Sequence, residues 1–311
     1  MLLIGTGPMA KAYSDVLDSL SIPFKVIGRG PISAKRFESE TGIKPYVGGL
    51  TKYLSEYQIS KDQKVIIATG VEMLMSTLKE LIGKGVERIL IEKPAAISIT
   101  ELELNKKLLI PFASKILIGY NRRFYASVIE AEKLIRDDGG LLSMQFEFTE
   151  WAHKIEPLQK APGVKENWFF ANSTHVVDLA FFLGGNPLEW SAYSRPGNLT
   201  WHLKTNFAGA GITEKGVIFS YLSNWESAGR WSIELLTNKR RIYLKPLEGI
   251  SIQEKGSVQV VEHNFDNSID IKFKPGLYKQ VEAFIQHDTT RFTDIAKHID
   301  TACNVYAKII A

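Results

Sequence analysis

The sequence predicts an α/β protein of two domains. The first is built on a doubly wound parallel sheet, and the second is an α/β domain with a large, open, mostly antiparallel sheet. The chain has 311 residues, which is about twice the length of an average domain. Short apolar runs alternate with helical patterns over the first third, as is typical of a parallel sheet covered by helices. After residue 120, strand-like runs follow one another with short turns, which favours an antiparallel sheet.

Composition and charge narrow the function classes. Hydrophobic residues make up 45% and charged residues 23%, which argues against a disordered or fibrous chain. The 38 basic and 34 acidic residues leave a net charge of +4 with no dense basic run, so neither nucleic acid nor a membrane is an expected partner. Cys303 is the only cysteine, no uncharged apolar stretch reaches the roughly 18 residues that a membrane span needs, and the apolar start has no basic residue before it. We therefore expect an intracellular, cytoplasmic protein.

The first domain is predicted to span residues 1–119. The run at 64–69 is apolar on both faces, as expected of a parallel strand buried between two helix layers. Gly83 and Gly85 mark the end of a predicted helix. The domain boundary is placed near Gly119, where the alternation of strands and helices gives way to successive strands. The predicted strands are 2–4, 24–27, 64–69, 88–91 and 115–119, and the predicted helices are 10–20, 72–83 and 101–109.

The second domain is predicted to span residues 120–311. Apolar and polar residues alternate from 142 to 148, the period of a strand with one buried face. Residues 153–167 carry many charges and two prolines, and they are interpreted as a long loop that either binds a ligand or is an idle surface excursion. The further predicted strands are 188–195, 200–207, 216–225, 230–236 and 240–245, and the predicted helices are 124–137, 174–183, 276–287 and 293–310.

A glycine-rich turn follows the first predicted strand. Residues 5–10, Gly5-Thr6-Gly7-Pro8-Met9-Ala10, have the form G-x-G-x-x-A between a strand and a helix, the pattern of a dinucleotide-binding Rossmann domain. The first glycine permits the turn, the second lets a pyrophosphate approach the backbone, and the alanine lets the helix pack closely. The helix N-terminus offers N–H groups to the anion. The alternative is a tight turn without a ligand.

An arginine stands where an NAD site usually has an acid. No Asp or Glu occurs between Asp18 and Glu38, whereas Arg29 directly follows the second predicted strand, with Ser33, Lys35 or Arg36 as candidates to assist it. A guanidinium pairs with the 2′-phosphate of NADP, which a carboxylate would repel. We therefore expect NADP in preference to NAD, with NAD still an option. The alternative is that Arg29 is a solvated turn residue.

Four stretches in this order resemble the Gfo/Idh/MocA oxidoreductases, the group of glucose–fructose oxidoreductase and inositol dehydrogenase. They are the opening glycine motif, residues 92–94 (EKP), residues 119–124 (GYNRRF) and residues 175–178 (HVVD), and residues 274–280 are similar to the family's late helix start. The resemblance implies a nicotinamide cofactor and hydride transfer at a CH–OH or carbonyl carbon of a sugar, nucleotide sugar or polyol. It also implies a homodimer or homotetramer formed through the C-terminal sheet.

Lys93 and His175 are the candidate proton-transfer residues. Lys93 lies just past the carboxyl end of a strand, where open α/β sheets bind ligands, and a dry pocket lowers the pKa of a lysine. His175 begins an apolar helix, and its position in the family is that of a general acid/base. Without the resemblance, a surface lysine and a structural histidine would be the better interpretations.

The remaining candidates are contacts to the substrate or the cofactor. Asp178 is predicted either to orient His175 from one turn away or to sit at a helix start. The spacing of the other histidines excludes a metal site. The candidate substrate contacts are Tyr120, Asn121, Arg122, Trp168, Asn172 and Asp178, and the candidate cofactor contacts are Gly5, Thr6, Gly7, Pro8, Met9, Ala10, Arg29, Ser33, Thr69, Glu92 and Lys93. Trp225 and Trp231, with Arg230 or Asn224, are alternatives for sugar stacking, although a core position is the more common role of a tryptophan.

Two departures from the family pattern bear on turnover. The family carries Asp four residues before the histidine, whereas this chain has Ala171 followed by Asn172, and an amide cannot accept a proton at neutral pH. Either Lys93 and His175 carry proton transfer alone, or the protein is a dinucleotide-binding sensor or pseudoenzyme. A non-sugar cyclic substrate is a third option. Residues 69–73 (TGVEM) replace the family's Thr-Pro-Asn, so the loop near the nicotinamide is expected to differ.

Overall fold

A computed structural model describes all 311 residues as two compact units, each with its own sheet. The first unit comprises residues 1–121 and 272–300, and the second comprises residues 122–271 and 301–311. The first sheet is mainly parallel and the second mostly antiparallel, which confirms the predicted fold class.

Fifteen strands, numbered in chain order, form the two sheets. They are β1 Leu2–Ile4, β2 Lys25–Gly28, β3 Tyr46–Val47, β4 Lys64–Ile67, β5 Arg88–Glu92, β6 Ile116–Gly119, β7 Ser143–Glu147, β8 Pro187–Pro196, β9 Lys204–Thr213, β10 Ile218–Asn224, β11 Ser232–Leu236, β12 Arg240–Leu244, β13 Ser251–Glu254, β14 Val260–Glu262 and β15 Thr293–Asp294.

Twelve α-helices, together with short 3-10 and π segments, complete the chain. The π segments are Phe169–Ser173 and Ala302–Tyr306, and no helix combines the length and hydropathy that a membrane span requires. The α-helices are α1 Pro8–Ser19, α2 Pro31–Thr41, α3 Gly49–Glu56, α4 Val71–Gly83, α5 Ile99–Leu109, α6 Ala126–Asp137, α7 Ala152–Ile155, α8 Thr174–Gly184, α9 Ser268–Lys272, α10 Leu277–Gln286, α11 Ile295–Thr301 and α12 Ala307–Ile310.

The first unit has a seven-stranded sheet in the order β15-β6-β5-β4-β1-β2-β3. Strands β1 to β6 are parallel, and β15 pairs antiparallel with β6 at one edge. The residues of β4 from Val65 to Ile67 are fully buried because helices cover both sheet faces. The strand order reverses between β1 and β4, and a crevice at such a point is where open α/β sheets bind ligands.

The second unit has an eight-stranded sheet in the order β14-β13-β12-β11-β7-β10-β9-β8. All neighbouring pairs are antiparallel except β7 with β10. In β10, Phe219 and Tyr221 are buried, while Ile218 and Leu222 are exposed on the opposite face. This face of β10 therefore displays apolar side chains, and the role of the second sheet as an interface between copies of the chain stays a prediction.

Residues 272–300 belong to the first unit, whereas the predicted second domain included them. Strand β15 extends the first sheet, and the Tyr13 hydroxyl oxygen on α1 lies 3.1 Å from Gln280 Oε1 on α10. A helical period shows which face of a helix is buried but not which sheet buries it. The helical pattern at 293–310 also gave no indication that residues 293–294 pair as a strand with β6.

Candidate functional site

A cavity of about 740 Å³ lies at the carboxyl ends of β1, β2 and β4. Ile4, Ile27 and Ala68 form its floor where these strands end, and the following loops form its walls. It occupies the crevice at which the strand order reverses, and its volume falls within the roughly 300–1,000 Å³ of small-molecule sites.

Four helices begin at this cavity, each behind a glycine. The N-cap residues of α1 to α4 are Gly7, Gly30, Gly48 and Gly70, and all four line the cavity wall. No side chain caps any of these helices, so their first-turn N–H groups have no side-chain acceptor at the cap. Because N–H groups and positive dipole ends favour an anion, the wall suits a phosphate-bearing ligand.

The two glycines of the opening motif are needed for different reasons. Gly5 has φ +129°, and a Cβ there would lie 2.3 Å from the carbonyl oxygen of Ala68, so the fold itself excludes a side chain. Gly7 has an extended conformation that any residue adopts, and a Cβ there would meet no protein atom within 4 Å. The fold alone does not require glycine at residue 7, and the open space beside its backbone is free for a ligand.

Arg29 is the one basic side chain on the cavity wall. It is exposed, and its Nη1 donates to Met73 Sδ at 3.4 Å. Ser33 lies on the same wall and accepts a hydrogen bond from Thr6 Oγ1 at 3.0 Å. The acidic lining residues, Glu72 and Glu80, lie on α4, so no carboxylate follows β2 itself.

Most of the predicted cofactor contacts are brought together here, and three are not. Ala10 is fully buried inside α1, as the predicted close packing requires. Glu92 and Lys93 lie at the end of β5, away from the cavity wall. Those on the wall are Gly5, Thr6, Gly7, Pro8, Met9, Arg29, Ser33 and Thr69.

The loop that carries Lys93 is held by buried polar contacts within the first unit. Lys93 itself is buried, and the preceding Glu92 accepts from the Tyr13 hydroxyl at 2.7 Å. Burial, with the nearby Glu92 carboxylate, raises the pKa of the Tyr13 hydroxyl well above its usual value, so that hydroxyl stays a donor. Helix α1 therefore fixes the residue before Lys93.

His298 on α11 contacts the same loop from the other side. Its Nε2 lies 2.9 Å from the Pro94 carbonyl oxygen, and its Nδ1 lies 3.5 Å from the Tyr120 hydroxyl. Nε2 must carry the proton to donate to the carbonyl, which leaves Nδ1 to accept. The sequence offered no signal for this role, because His298 lies more than 200 residues from Pro94.

Tyr120 and Asn121 are therefore buried structural partners in the first unit. The Asn121 amide donates from Nδ2 to the Pro275 carbonyl oxygen at 2.9 Å. Both residues lie within the segment that resembles the family motif, and their contact with a substrate stays a prediction.

A buried carboxylate that the sequence analysis did not identify lies near the start of α8. Glu150 accepts from Asn172 Nδ2 at 2.9 and 3.1 Å and from Ser173 Oγ at 2.8 Å. It is 1% exposed, and burial raises the pKa of its carboxyl although these donors and Arg230 oppose the shift. The donors come from a π-helical turn, a feature frequent at functional sites.

Ala171 stands where the family pattern has an Asp, and Glu150 brings a carboxylate to the neighbouring residue, Asn172. Glu150 follows β7, so it comes from a different element than the helix that carries His175. Asn172 joins the two, since its amide binds Glu150 and it lies one helical turn before His175. In the sequence, Glu150 is distinguished only by following the alternating residues 142–148. That alternation predicts a strand but does not indicate a buried carboxylate.

His175 and Asp178 both lie buried on α8. The His175 ring centroid is 6.1 Å from that of Trp231. Arg123 donates to both carboxylate oxygens of Asp178, from Nε at 2.8 Å and from Nη2 at 2.6 Å. Burial raises the pKa of Asp178 against the pull of Arg123, so the pair is a structural tie between α8 and the segment before α6.

Trp168 is buried, and its ring packs edge-on against Trp201 with centroids 6.2 Å apart. Its predicted stacking on a sugar is untested. No cluster of three or more His, Cys, Asp or Glu side chains is placed to hold a metal ion.

Neither a comparison with known protein families nor a comparison with curated protein sequences finds a match. Solved structures do match over the whole chain. A protein from Desulfitobacterium hafniense, to which NADPH-dependent oxidoreductase activity has been ascribed, has a TM-score of 0.78 at 15% identity, over 99% of this chain and 94% of its own.

Two further matches were solved with ligands. An oxidoreductase from Agrobacterium radiobacter in complex with NAD⁺, L-tartaric acid and magnesium has a TM-score of 0.74 at 14% identity, over 99% of this chain and 95% of its own. The WlbA dehydrogenase from Bordetella pertussis, in complex with NADH and UDP-GlcNAcA, has a TM-score of 0.69 at 15% identity over the same shares. At such identities the likeness shows a common two-domain fold, and the resemblance to the Gfo/Idh/MocA family stays a prediction.

The two motif glycines are expected to respond differently to a methyl group. Gly5→Ala places a Cβ against the Ala68 carbonyl at a positive φ and should lower the free energy of unfolding, with backbone strain alone contributing about 1–3 kcal/mol. Gly7→Ala meets no protein atom and should change it by no more than about 0.5 kcal/mol. Urea unfolding of both variants measures this, and equal destabilisation would contradict the different roles.

The buried Glu150 carboxyl should give a distinctive pH dependence of stability. Because burial raises its pKa, the stability linked to its proton is present below the unfolded pKa and is lost as the pH rises through the higher folded pKa. Glu150→Gln cannot ionise, so we expect it to gain stability relative to the wild type between about pH 4 and neutrality. Urea unfolding at a series of pH values measures the difference.

Glu226→Gln is the matched control in the same unit. Hydrogen bonds from Thr205 and Asn198 lower the pKa of the Glu226 carboxyl, so this variant should lose stability relative to the wild type over the same pH interval. If the unfolding free energies of the two variants changed with pH in the same direction, burial would not be what sets the pKa of Glu150.

Proposed function

We propose that the chain is an NAD(P)-dependent oxidoreductase, with NADP preferred, that acts on the CH–OH or carbonyl carbon of a sugar, nucleotide sugar or polyol. The observation that carries the proposal is the open space beside Gly7, at the uncapped start of α1 and on the wall of a cavity where three other helices begin. The complexes of two structural neighbours with NAD⁺ and NADH support the same cofactor class.

The residues of the first unit fit such a cofactor. The first-turn N–H groups of α1 would hold the pyrophosphate, and Gly7 leaves its backbone accessible. Arg29 would pair with a 2′-phosphate, since no carboxylate follows β2 to accept a ribose hydroxyl. Ser33 and Thr69 supply further polar groups on the wall.

The bound nicotinamide supplies the hydride acceptor or donor. The substrate hydroxyl must release a proton on oxidation or gain one on reduction, and Lys93 and His175 are the proposed residues for that transfer. The contact of Glu92 with Tyr13 and that of the Pro94 carbonyl with His298 hold the residues on either side of Lys93. Asn121, Arg122, Asn172 and the surrounding aromatic side chains are proposed to position the substrate, and the outer face of the second sheet is proposed to join copies of the chain.

Replacing Arg29 tests the cofactor preference. Arg29→Gln should weaken NADPH binding by about ten- to a hundredfold, the worth of a charge-assisted hydrogen bond, and leave NADH binding nearly unchanged. Fluorescence titration with both dinucleotides measures the two affinities. Arg36→Gln is the control, because Arg36 is exposed on α2 but does not line the cavity. An equal loss for both dinucleotides would contradict the 2′-phosphate assignment.

Replacing Lys93 tests the reaction. With a panel of keto-sugars, the wild type should oxidise NADPH, and Lys93→Met should lower kcat/KM by about 10²- to 10⁴-fold while NADPH binding persists. Lys84→Met, at an exposed position after α4, should leave the rate unchanged. A protein that binds NADPH but turns over no carbonyl compound of the panel would instead be the dinucleotide sensor.

A further inference from the structure

Two arginine side chains of the second unit lie over one tryptophan ring. The guanidinium carbons of Arg122 and Arg230 each lie 4.6 Å from the Trp231 ring centroid. We refer to Arg122, Arg230 and Trp231 as the Trp231 cluster. Stacking on an aromatic face orients a guanidinium while its N–H groups remain available to an acceptor.

Arg122 has no hydrogen-bonded or ion-paired acceptor for its guanidinium. The group is half-buried and packs between the rings of Trp231 and Tyr125. Burial lowers the pKa of Arg122, although Glu248 and Glu150 exert a weaker opposing attraction. The five N–H donors of this guanidinium are unused within the protein and are available to a ligand.

Arg230 is only loosely paired. Its Nη1 lies 3.6 Å from Glu150 Oε2, which is longer than a hydrogen bond, and the side chain is 42% exposed. The Glu150 oxygens already accept hydrogen bonds from Asn172 and Ser173. The Arg230 fork is therefore still available, while its ring contacts with Trp151 and Trp231 hold it in place.

The indole of Trp231 adds a third donor. The residue is 6% exposed, and its Nε1–H is buried without an acceptor. The buried indole N–H groups of Trp201 and Trp225 also lack a partner, so the Trp231 N–H points to a ligand only because two guanidinium groups lie over the same ring. Two forked cations and one N–H on a single ring are a donor set for an oxyanion.

We propose that Arg122, Arg230 and the indole N–H of Trp231 bind an oxyanion of the substrate, a carboxylate or a phosphate ester. The inference rests on the proposed function and narrows it, because the substrate class becomes an anionic sugar derivative instead of a neutral polyol. Guanidinium forks match both oxyanions, so the geometry defines the shared chemistry and the experiment separates the two sources.

Calorimetric titration with three probes tests the proposal. D-glucuronate carries a carboxylate, D-glucose 6-phosphate carries a phosphate, and D-glucose carries neither. The wild-type protein should bind one or both anionic probes and show no binding of glucose, and the anion affinity should fall as salt is added. Binding of glucuronate alone assigns a carboxylate, and binding of the phosphate ester alone assigns a phosphate. Absence of anion binding, or equal binding of glucose, overturns the proposal.

Variants link that binding to the Trp231 cluster. Arg122→Gln and Arg230→Gln should each weaken anion binding by about tenfold or more, the worth of a charge-assisted hydrogen bond. Trp231→Phe keeps an aromatic ring but removes the N–H, so it should weaken binding less, by about three- to tenfold. Arg136→Gln, at an exposed position on α6, is the matched control and should bind as the wild type does. Unchanged anion binding in the two arginine variants overturns the proposal.

Folding and cofactor binding are followed in the same samples. Should Arg122→Gln fail to fold, the more exposed Arg230→Gln decides the outcome alone. NADPH binding, measured in parallel, reports on the first unit. Intact NADPH binding with turnover of neutral sugars but no anion binding would overturn this inference and leave the proposed function standing, whereas anion binding without NADPH binding would do the reverse.

Discussion

The first unit depends on a close backbone approach between β1 and β4. The chain leaves β1 through Gly5, whose α-carbon is so near the Ala68 carbonyl that even a methyl group would overlap it. This contact turns the chain directly into α1 and leaves the uncapped helix start at the end of the sheet. The same arrangement of strand, glycine and helix N-terminus recurs at α2 and α4, so the cavity is a product of the sheet's connectivity.

The second unit meets its electrostatic demands in a different way. It buries Glu150 and Asp178, and each is matched by side chains from other elements: an amide and a hydroxyl for Glu150, and a bidentate guanidinium for Asp178. The Trp231 cluster lacks such close partners, since Arg122 makes no hydrogen bond and the Arg230 guanidinium lies 3.6 Å from Glu150. Hydrogen-bonded carboxylates and donors without an acceptor thus lie close together around the start of α8. Only the donors without an acceptor point to a ligand.

Local patterns in the sequence predicted the parallel sheet, the alternating strands and the cavity wall, because each depends on residues close together in the chain. Gly5 to Met9 and Arg29 needed only a strand, a turn and a helix start to be placed. The roles of His298 and Glu150 could not be predicted in this way. Their partners lie far away in sequence, and a burial pattern does not reveal which distant carbonyl or amide a side chain meets. The membership of residues 272–300 in the first unit was hidden for the same reason.

The path of the chain has a consequence for its synthesis. The first unit ends at residue 121, and its missing edge strand and the helix against α1 arrive only with residues 272–300. A nascent chain that ends before residue 272 therefore holds an unfinished sheet, in which β6 has no partner on one side and Tyr13 lacks its contact with Gln280. Residues 122–271 must be translated before residues 272–300 become available, so the first unit completes its sheet only after most of the second unit has been synthesised.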